Sequence, residues 1–391
     1  MTIVIAFLLL PFTILTFCFA AEILVGLRPL PQSRRESASK CSAVIIVPAH
    51  NEAEVLASNL EALTAAAGGA NAGILLVADN CTDSTAEIAR AIGVEVIERS
   101  DAIRRGKGFA LDFARQHLEN KPPRVVIIVD ADCRIAGPSL SALIAAYAET
   151  GRPCQATNLQ EPAVDASPPV QLSTFAFFVK NVIRQRALQR LAGRAHLLGT
   201  GMALPWSTFS KAKLATGNIV EDLALGQELS DWGHAPLFVE DATVWSSAET
   251  QTNTLSQRRR WEGGFLQNAL RAGPAMLGRS FARGDAQGLW AAINTMIPPF
   301  ALLVLLDLGA LLVAAALTLA SRSSPWPLLM ILVALLSALF ALAGAWRAGG
   351  SRFVSLGGLA RMPFYLLWKI PMYLSLARHG APKEWRRTAR K

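Results

Sequence analysis

Two carboxylates, Asp130 and Asp132, come directly after the apolar run Val125–Val129. Carboxylates this close together repel each other unless a cation or solvent separates them. Hard divalent ions such as Mg²⁺ bind carboxylate oxygens and fill their remaining positions with water or phosphate. The pair therefore predicts a metal site that also receives phosphate oxygens. Because the D-x-D pattern is only three residues long, its meaning depends on the residues that surround it.

Further polar side chains follow two other short apolar runs. The first run leads into Pro48-Ala49-His50-Asn51-Glu52, and the second leads into Asp79-Asn80-Cys81-Thr82-Asp83. Asp79 is either a ligand-binding residue or a turn or helix-capping residue, since Asp is favoured at such positions. Asp83 is interpreted as the cap of a helix from Ser84 to Ala91.

A basic segment with two glycines lies after the third apolar run. It reads Asp101-Ala102-Ile103-Arg104-Arg105-Gly106-Lys107-Gly108, and a helix is predicted to begin at Phe109. Backbone N–H groups at a helix start, with Lys107 beside them, can receive an anion. A solvated basic loop is the alternative.

Two later segments of the sequence also contain clustered charged residues that could take part in a reaction. Glu221-Asp222 precedes a predicted helix from Leu223 to Trp232, so the acids either cap that helix or act on a substrate. The run Gln257-Arg258-Arg259-Arg260-Trp261 is either a solvated helix start or a site that stacks on a sugar and contacts phosphate.

The elements that position these residues are four apolar strands. They are predicted at Ala43–Val47, Ile74–Ala78, Val94–Glu98 and Val125–Val129, with helix-like segments between them. Continuous rather than alternating apolar runs indicate strands buried on both faces, hence a parallel sheet of βαβ units. Ligands of such sheets bind beyond the carboxyl ends of the strands. The fold class predicted for residues 41–290 is therefore α/β, with the polar segments at one edge.

The composition requires a membrane-embedded part. Hydrophobic residues make up 52% of the 391 residues and charged residues 17%, and the mean hydropathy is +0.33. Spans are predicted at Thr2–Ala21, Met296–Ala320 and Ser323–Trp346, because about 20 apolar residues cross a bilayer. A cleaved signal peptide is the alternative for the first, but no Lys or Arg precedes Arg28. The predicted parts are an N-terminal transmembrane helix (1–27), the α/β domain (41–290), a transmembrane hairpin (295–346) and an interfacial helix with a basic tail (360–391).

The positive charge is concentrated at the carboxyl end. Residues 347–391 hold ten Lys or Arg and one Glu, which accounts for the whole net charge of +9. Such a tail beside apolar segments indicates attraction to anionic lipid headgroups and argues against a nucleic-acid partner. Arg28, Arg34, Arg35 and Lys40 place the α/β domain in the cytoplasm and the N-terminus outside. Met362–Ala377 is short, contains Lys369 and two prolines, and is predicted to lie in the interface.

Three other features leave choices open. The five cysteines include no C-x-x-C pair, so neither a disulfide framework nor a zinc site is supported, and a reducing cytoplasm suits them. Phe175–Arg194 has the pattern of a basic amphipathic helix, which lies either on the inner leaflet or against the α/β domain. Asp307 falls within a predicted span, where it either pairs helices or contacts a lipid or sugar.

Taken together, the motifs occur in a familiar order. The chain resembles family 2 inverting glycosyltransferases of the GT-A fold, in the membrane-embedded group that includes cellulose, chitin, hyaluronan and poly-N-acetylglucosamine synthases. The resemblance covers residues 41–270 and rests on the five segments already given together with Gly199-Thr200-Gly201-Met202 and Val220-Glu221-Asp222.

This resemblance implies a role for each motif. Pro48, Ala49, Glu52 and Asp79 match positions that hold the nucleobase and ribose, and Lys107 completes the nucleotide pocket. Asp130 and Asp132 match the metal motif, which implies Mg²⁺ or Mn²⁺ on the diphosphate, with Asp132 as the direct ligand. Asp222 matches the catalytic base. The diphosphate and acceptor sugar are implied to lie near a last group: Gly201, Glu221, Gln257, Arg260 and Trp261.

The chain departs from the family pattern at three places. Asn80 stands where many members carry a second acid. The segment Trp385–Arg390 resembles the family's mobile gating loop only loosely. Three predicted spans are fewer than polymer-secreting synthases use, which argues against a self-contained export channel.

The chemistry of glycosyl transfer agrees with these assignments. A divalent ion can act as a Lewis acid on a leaving diphosphate, and an acceptor hydroxyl needs a general base, for which Asp222 is the candidate. Attack opposite the leaving group inverts the anomeric centre, so an α-linked nucleotide sugar, expected to be a UDP-sugar, gives a β-linked product.

The predicted function is transfer to a lipid-linked or saccharide acceptor at the inner (cytoplasmic) membrane, in exopolysaccharide or glycolipid synthesis. Membrane lipids and polysaccharide assembly or export proteins are the other expected partners. A processive polysaccharide synthase, transfer to a polyprenyl phosphate and a non-catalytic nucleotide-binding subunit are the alternatives.

Overall fold

The computed structural model describes residues 1–31, 41–162, 165–216, 220–247, 251–322 and 324–381. Its helices are α1 (Thr2–Gly26), α2 (Ala53–Ala70), α3 (Thr85–Ala91), α4 (Lys107–Leu118), α5 (Gly137–Thr150), α6 (Pro168–Phe178), α7 (Arg184–Ala192), α8 (Trp206–Phe209), α9 (Glu221–Asp231), α10 (Gln251–Arg283), α11 (Ala286–Met296), α12 (Phe300–Ser321), α13 (Trp326–Arg347), α14 (Leu356–Ala360) and α15 (Met362–His379). A π-helical turn, Val179–Ile183, joins α6 to α7, and a 3₁₀ turn lies at Gly350–Arg352.

An eight-stranded sheet forms the centre of the α/β domain. The strands are β1 (Ala43–Ala49), β2 (Ala72–Asp79), β3 (Glu95–Arg99), β4 (Val125–Ile128), β5 (Cys133–Ile135), β6 (Cys154–Gln160), β7 (Met202–Pro205) and β8 (Leu237–Ser246). They lie in the order β3-β2-β1-β4-β7-β6-β8-β5. The first four are parallel, as predicted. Beyond β4 the sheet becomes mixed, because β7 is antiparallel to both β4 and β6.

Both faces of the parallel half are buried. Ile45 and Val47 of β1 pack with α2 and α5 on one face, whereas Ile46 packs with α4 on the other. Two-sided burial explains why these strands are continuously apolar in sequence. It also directs the polar segments to the strand ends, where the sheet leaves its backbone groups and side chains accessible.

Three helices, α1, α12 and α13, are long and apolar enough to cross a bilayer. They match the three predicted spans with shifted ends: α12 begins after Pro299 and α13 after Pro325. Asp307 of α12 is fully buried and accepts a hydrogen bond from Thr16 of α1 at 2.6 Å. Asp307 therefore pairs two of these helices, which is one of the two roles expected for it.

The segment from α6 to α7 lies at the junction between the α/β domain and α1. Its apolar side chains, including Phe175, Phe178 and Leu188, are buried, and Arg186 is buried with them. Arg186 forms an ion pair with Glu240 of β8, and its Nη1 donates to the carbonyl of Gly26 at 3.3 Å. Of the two predicted arrangements, this segment therefore adopts packing against the protein. Its apolar face is covered by other residues and does not contact a lipid leaflet.

The segment predicted to lie in the interface is the helix α15. One side of it is buried, through Tyr365, Lys369 and Tyr373, and the other side exposes Phe364, Leu367 and Leu374. Its position relative to a bilayer stays a prediction. The basic tail with Trp385–Arg390 and the cluster Arg34, Arg35 and Lys40 lie outside the described residues.

Candidate active site

The loops that follow β1 and β2 are joined by hydrogen bonds. The amide of Thr82 donates to Oδ1 of Asn51 at 2.7 Å, and the amide of Glu52 donates to Oγ1 of Thr85 at 2.9 Å. Asp83 accepts from the amides of Ala53 (3.2 Å) and Thr85 (3.1 Å). Asp83 therefore caps the first turns of both α2 and α3, one helix more than the sequence predicted.

Asp79 is the last residue of β2 and is held by an arginine. Nη1 of Arg99 donates to Oδ1 of Asp79 at 2.6 Å, and Asn80 donates to the same oxygen at 2.9 Å. The helix-capping alternative for Asp79 does not occur. Oδ1 of Asn80 accepts from the amide of Asp101 at 2.8 Å, so this residue, which replaces an acid of the family pattern, fixes the loop that leads to Lys107.

Lys107 lies at the centre of a group of carboxylates. It begins α4, and its ammonium forms an ion pair with Asp130 and donates to the carbonyl of Gly199 at 2.6 Å. Burial disfavours the charged ammonium, but Asp130, Glu221 and Asp222 outweigh burial and raise the pKa of Lys107. The alternative of a solvated basic loop is therefore wrong for Lys107, although Arg104 and Arg105 are exposed.

The predicted metal motif forms a compact group of donors. One ligand atom from each of Asp130, Asp132 and Cys133 lies within 4.8 Å of the other two. The amide of Asp130 donates to Oγ1 of Thr200 at 3.1 Å, which fixes the loop, and the thiol of Cys133 donates to Asp132 at 3.4 Å. Burial and the two neighbouring carboxylates raise the pKa of the Cys133 thiol well above its usual value. The available donors are thus carboxylate oxygens, which suit Mg²⁺ or Mn²⁺ better than a thiophilic ion.

The Gly199-Thr200-Gly201 run connects this group to the sheet. Gly201 has φ +66°, and a Cβ there would lie 2.7 Å from Val244 and 2.9 Å from Ala156. Its amide donates to Ile128 and its carbonyl accepts from Ala156, both at 2.8 Å. Gly201 therefore closes the sheet between β4 and β6, while Gly199 is the residue that approaches the carboxylates.

Glu221 and Asp222 occupy the first turn of α9, two residues earlier than the predicted helix start. Oδ1 of Asp222 accepts from the amide of Leu223 at 2.8 Å, so Asp222 does stabilise its own helix start. Oδ2 faces Gly199, where a Cβ would lie 3.4 Å away. Burial raises the pKa of Asp222, although the Leu223 amide, Lys107 and Lys180 oppose it. Burial and the charge of Asp222 raise the pKa of Glu221 to about 8.

The arginine-rich run lies in α10, near its start. Arg258 is buried, donates to Oγ and to the carbonyl of Ser173 at 2.7 and 2.8 Å, and lies 5.4 Å from the ring centroid of Trp261. The Trp261 ring is also 5.8 Å from Phe177. Gln257 and Arg260 are half-buried on the same turns. The alternative of a solvated helix start is therefore wrong for Arg258 and Trp261.

The sequence analysis gave no individual role to three residues of this region: Arg99, Lys180 and Arg258. Lys180 belongs to the π-helical turn, and its ammonium lies 5.9 Å from the ring centroid of Phe265. The charge of Lys180 lowers the pKa of Asp222, and that of Asp222 raises the pKa of Lys180. The insertion of a π turn in a helix is frequent at functional sites, but it leaves no simple pattern in the sequence. Arg258, in contrast, was present in the run that the sequence singled out.

The mixed sheet, the helices on both of its faces and the carboxylates at its strand ends define a glycosyltransferase of the GT-A fold. Residues 42–264, more than half of the chain, match the family model described as "Glycosyltransferase like family 2". The chain belongs to that family, and the predicted family and fold class are confirmed. The closer grouping with cellulose and hyaluronan synthases stays a prediction.

Of three similar solved structures, the first shows the same fold. The mannosyltransferase PcManGT from Pyrobaculum calidifontis, in complex with GDP-Man and Mn²⁺, is 16% identical with a TM-score of 0.55, and the match covers 95% of this chain and 97% of that one. Glucosyl-3-phosphoglycerate synthase from Mycobacterium tuberculosis, with Mn²⁺, UDP and glucosyl-3-phosphoglycerate, is 15% identical with a TM-score of 0.41, covering 61% and 86%. Mannosyl-3-phosphoglycerate synthase from Rubrobacter xylanophilus is 18% identical with a TM-score of 0.39, covering 63% and 76%. No curated protein sequence matches the chain.

Proposed function

We propose that this protein is a membrane-bound inverting glycosyltransferase that moves a sugar from a nucleotide-diphosphate sugar to a hydroxyl of a lipid-linked or saccharide acceptor. The arrangement around Lys107 carries the proposal: the metal-motif residue Asp130 binds its ammonium, and Asp222 lies beside the same group next to Gly199. A metal motif and a half-buried carboxylate beside the same lysine suit a reaction in which a diphosphate leaves and a hydroxyl attacks.

The donor is proposed to bind at the ends of β1, β2 and β4. Pro48, Ala49 and Glu52 would contact the nucleobase and ribose together with Asp79. Asp130 and Asp132 would hold Mg²⁺ or Mn²⁺, which supplies Lewis-acid stabilisation of the diphosphate when it is bound. The presence of GDP-Man and Mn²⁺ in the PcManGT complex supports a nucleotide-sugar donor and a divalent ion. We propose a UDP-sugar as the donor.

Asp222 is proposed to accept the proton of the attacking hydroxyl. A carboxylate with a raised pKa is a stronger base than an exposed Asp, so burial of Asp222 suits this role. Transfer to a polyprenyl phosphate is disfavoured, because an ionised acceptor needs no base. Attack on the face opposite the diphosphate inverts the anomeric centre and gives a β-linked product from an α-linked donor.

The acceptor is proposed to lie near Gln257, Arg260 and Trp261. The three long apolar helices among the described residues leave little protein to line a polar tunnel through lipid, where every polar group needs a partner. We therefore propose addition of one or a few sugars, in exopolysaccharide or glycolipid synthesis, with export left to other proteins. The α/β domain is proposed to lie on the cytoplasmic side of the inner membrane.

The test is incubation of membranes holding the protein with radiolabelled UDP-glucose, UDP-galactose, UDP-N-acetylglucosamine and GDP-mannose. One donor should label a lipid-extractable product that Asp222→Asn membranes do not form. Trp261→Ala should reduce acceptor labelling more than donor hydrolysis. Long polymer from a single donor would replace this proposal with a synthase. Binding of nucleotide without transfer from any donor would favour the non-catalytic alternative.

A further inference from the structure

A cavity of about 100 Å³ lies between the α/β domain and the three apolar helices. Phe19 of α1, Phe300 of α12 and Leu342 of α13 form one part of its wall. Trp261 of α10 forms another part. The cavity therefore connects the helices that are apolar enough to span a membrane with the helix that carries the predicted acceptor motif.

The charges along this cavity are strongly unequal. Among its described lining residues four are basic, Lys180, Arg184, Arg258 and Lys369, and one is acidic, Glu262. Lys369 forms an ion pair with Glu262, and Arg184 pairs with Glu22 at 2.6 Å. Within the part of the chain that the structure describes, Lys180 and Arg258 form no ion pair. Two cations outside any described ion pair, the exposed Lys180 and the buried Arg258, favour an anionic group as ligand.

Two observations relate the cavity to the candidate base Asp222: an electrostatic effect of Lys180 and a packing contact of α10. Lys180 lowers the pKa of Asp222. Loss of hydration lowers the pKa of Lys180, and the charge of Asp222 opposes that effect. Val220, directly before Glu221 and Asp222, packs against Gly264 of α10. A ligand in the cavity would thus have its charged end near Asp222 and its apolar end among α1, α12 and α13.

From this arrangement we propose that the cavity binds the head and first carbons of a single-chain lipid that carries a phosphate ester. The phosphate contacts Lys180 and Arg258, the chain lies against the wall formed by Phe19, Phe300 and Leu342, and a hydroxyl of the head group reaches Asp222. A cavity of this size holds a few carbons, as engineered apolar cavities hold one small ring, so it suits one chain rather than two. The inference rests on the proposed function and specifies the class of its acceptor.

Binding of farnesyl monophosphate to the purified full-length protein, measured by native mass spectrometry in detergent, tests this inference. Two controls are used. Farnesol has the same chain without a charged group, and inorganic phosphate has the charged group without a chain. We expect one farnesyl monophosphate per protein, with an affinity about tenfold or more above that of farnesol, since contacts to a charged group are strong. Equal binding of the two lipids would overturn the proposal.

Four variants locate the binding. Lys180→Gln should weaken farnesyl monophosphate about tenfold, and Ala301→Phe, which fills the cavity wall on α12, should abolish its binding. Lys211→Gln removes an exposed ammonium elsewhere, and Ala316→Leu enlarges an exposed position of the same helix; both should bind like the parent. If Ala301→Phe does not fold, Ala176→Leu on the opposite wall is used instead. Parent-like binding by the cavity variants would place the lipid elsewhere.

UDP binding in the presence of Mn²⁺ is measured on the same preparations. Bound UDP with no preference for farnesyl monophosphate over farnesol would remove the cavity inference and leave the proposed function in place. Specific lipid binding without any UDP binding would remove the proposed function and leave the cavity site in place.

Discussion

Gly264 of α10 packs directly against Val220, the residue that precedes α9. A Cβ at Gly264 would lie 2.6 Å from Cγ1 of Val220, so the two segments approach more closely than any side chain at Gly264 permits. Asp222 lies in the first turn after Val220, and Trp261 lies one turn before Gly264. This close contact therefore lies between the segment of the candidate base and the helix of the predicted acceptor motif.

Gly264→Ala should consequently impair transfer without affecting donor binding. The added methyl displaces Val220 or α10, and small misplacements of reacting groups cost about tenfold to a hundredfold in rate. Steady-state kinetics with the identified acceptor measure the loss, and UDP titration checks the donor site. Gly278→Ala on the same helix meets open space; it should keep activity and raise Tm, since Gly inside a helix costs about 0.5–1 kcal/mol relative to Ala. Equal activity of the two variants would show that the close contact is dispensable.

Asp222→Asn should lower turnover by about 10²- to 10⁴-fold, the usual contribution of a general base. The amide keeps the shape of the side chain but cannot accept the proton of the hydroxyl. Single-turnover assays measure the rate, and UDP binding should persist. Asp231→Asn, at the exposed other end of α9, is the matched control. Turnover of Asp222→Asn within about threefold of the parent would mean that another group activates the acceptor.

Activity should require Mg²⁺ or Mn²⁺ and should be lost in Asp132→Ala. The compact donor group at Asp130 and Asp132 is the reason, because removing one of two carboxylates leaves too few oxygens for a hard ion. Electron paramagnetic resonance of added Mn²⁺ measures binding directly, apart from activity. Glu61→Gln, on the exposed face of α2, should bind Mn²⁺ like the parent. Full turnover in excess EDTA would contradict this prediction.

His196 should make the protein less stable as the pH falls from about 6.5 to about 4. Burial lowers the pKa of His196 to about 4, with Arg184, Lys180 and Arg194 adding to the shift and a hydrogen bond to Asn294 opposing it. In that window the unfolded chain takes up a proton that the folded chain does not, so protonation favours unfolding. His196→Gln should show a smaller loss of Tm over this range, whereas His234→Gln, an exposed control, should follow the parent. Identical Tm profiles for all three would refute this role.

The topology predicts which engineered cysteines react with an impermeant thiol reagent added to intact cells. Ser324→Cys, in the turn between α12 and α13, should be labelled from outside. Asp231→Cys, on the α/β domain, should be labelled only after the cells are opened. The native cysteines are first replaced by serine. Labelling of residue 231 from outside would reverse the proposed orientation.

The parallel half of the sheet was predictable because its strands are apolar on both faces. The strand β6 was not, since its buried residues include Gln155, Thr157 and Asn158. Gln155 satisfies its side chain with the carbonyl of Thr200 and the amide of Leu198, at 2.9 and 2.8 Å. Hydrophobic periodicity does not detect such a strand, because its buried polar side chains form hydrogen bonds with residues about 45 positions away.

The candidate site likewise contains residues that the sequence predicts and residues that it does not. Asp130, Asp132 and Asp222 stand out in the sequence because acids interrupt or follow recognisable elements. Arg99 and Lys180 do not stand out in the sequence. Arg99 contacts Asp79, and Lys180 lines the cavity, only because folding brings distant segments together. The packing of α6 and α7 was left open for the same reason, since Glu22 and Glu240 are distant in sequence from the arginines that they neutralise.

The buried carboxylate of Glu22 constrains the order in which this protein can be assembled. Its two partners, Arg184 at 2.6 Å and Asn294 at 2.7 Å, lie 162 and 272 residues further along the chain. A ribosome therefore makes α1 long before either partner exists, and an unpaired buried carboxylate costs several kcal/mol. Burial of Glu22 is therefore unfavourable until the chain has grown beyond residue 184, and its second partner follows only at residue 294. The helix α1 thus reaches its final packing only after much later segments have been made, and a nascent chain that stops short of α11 leaves Glu22 without its hydrogen bond from Asn294.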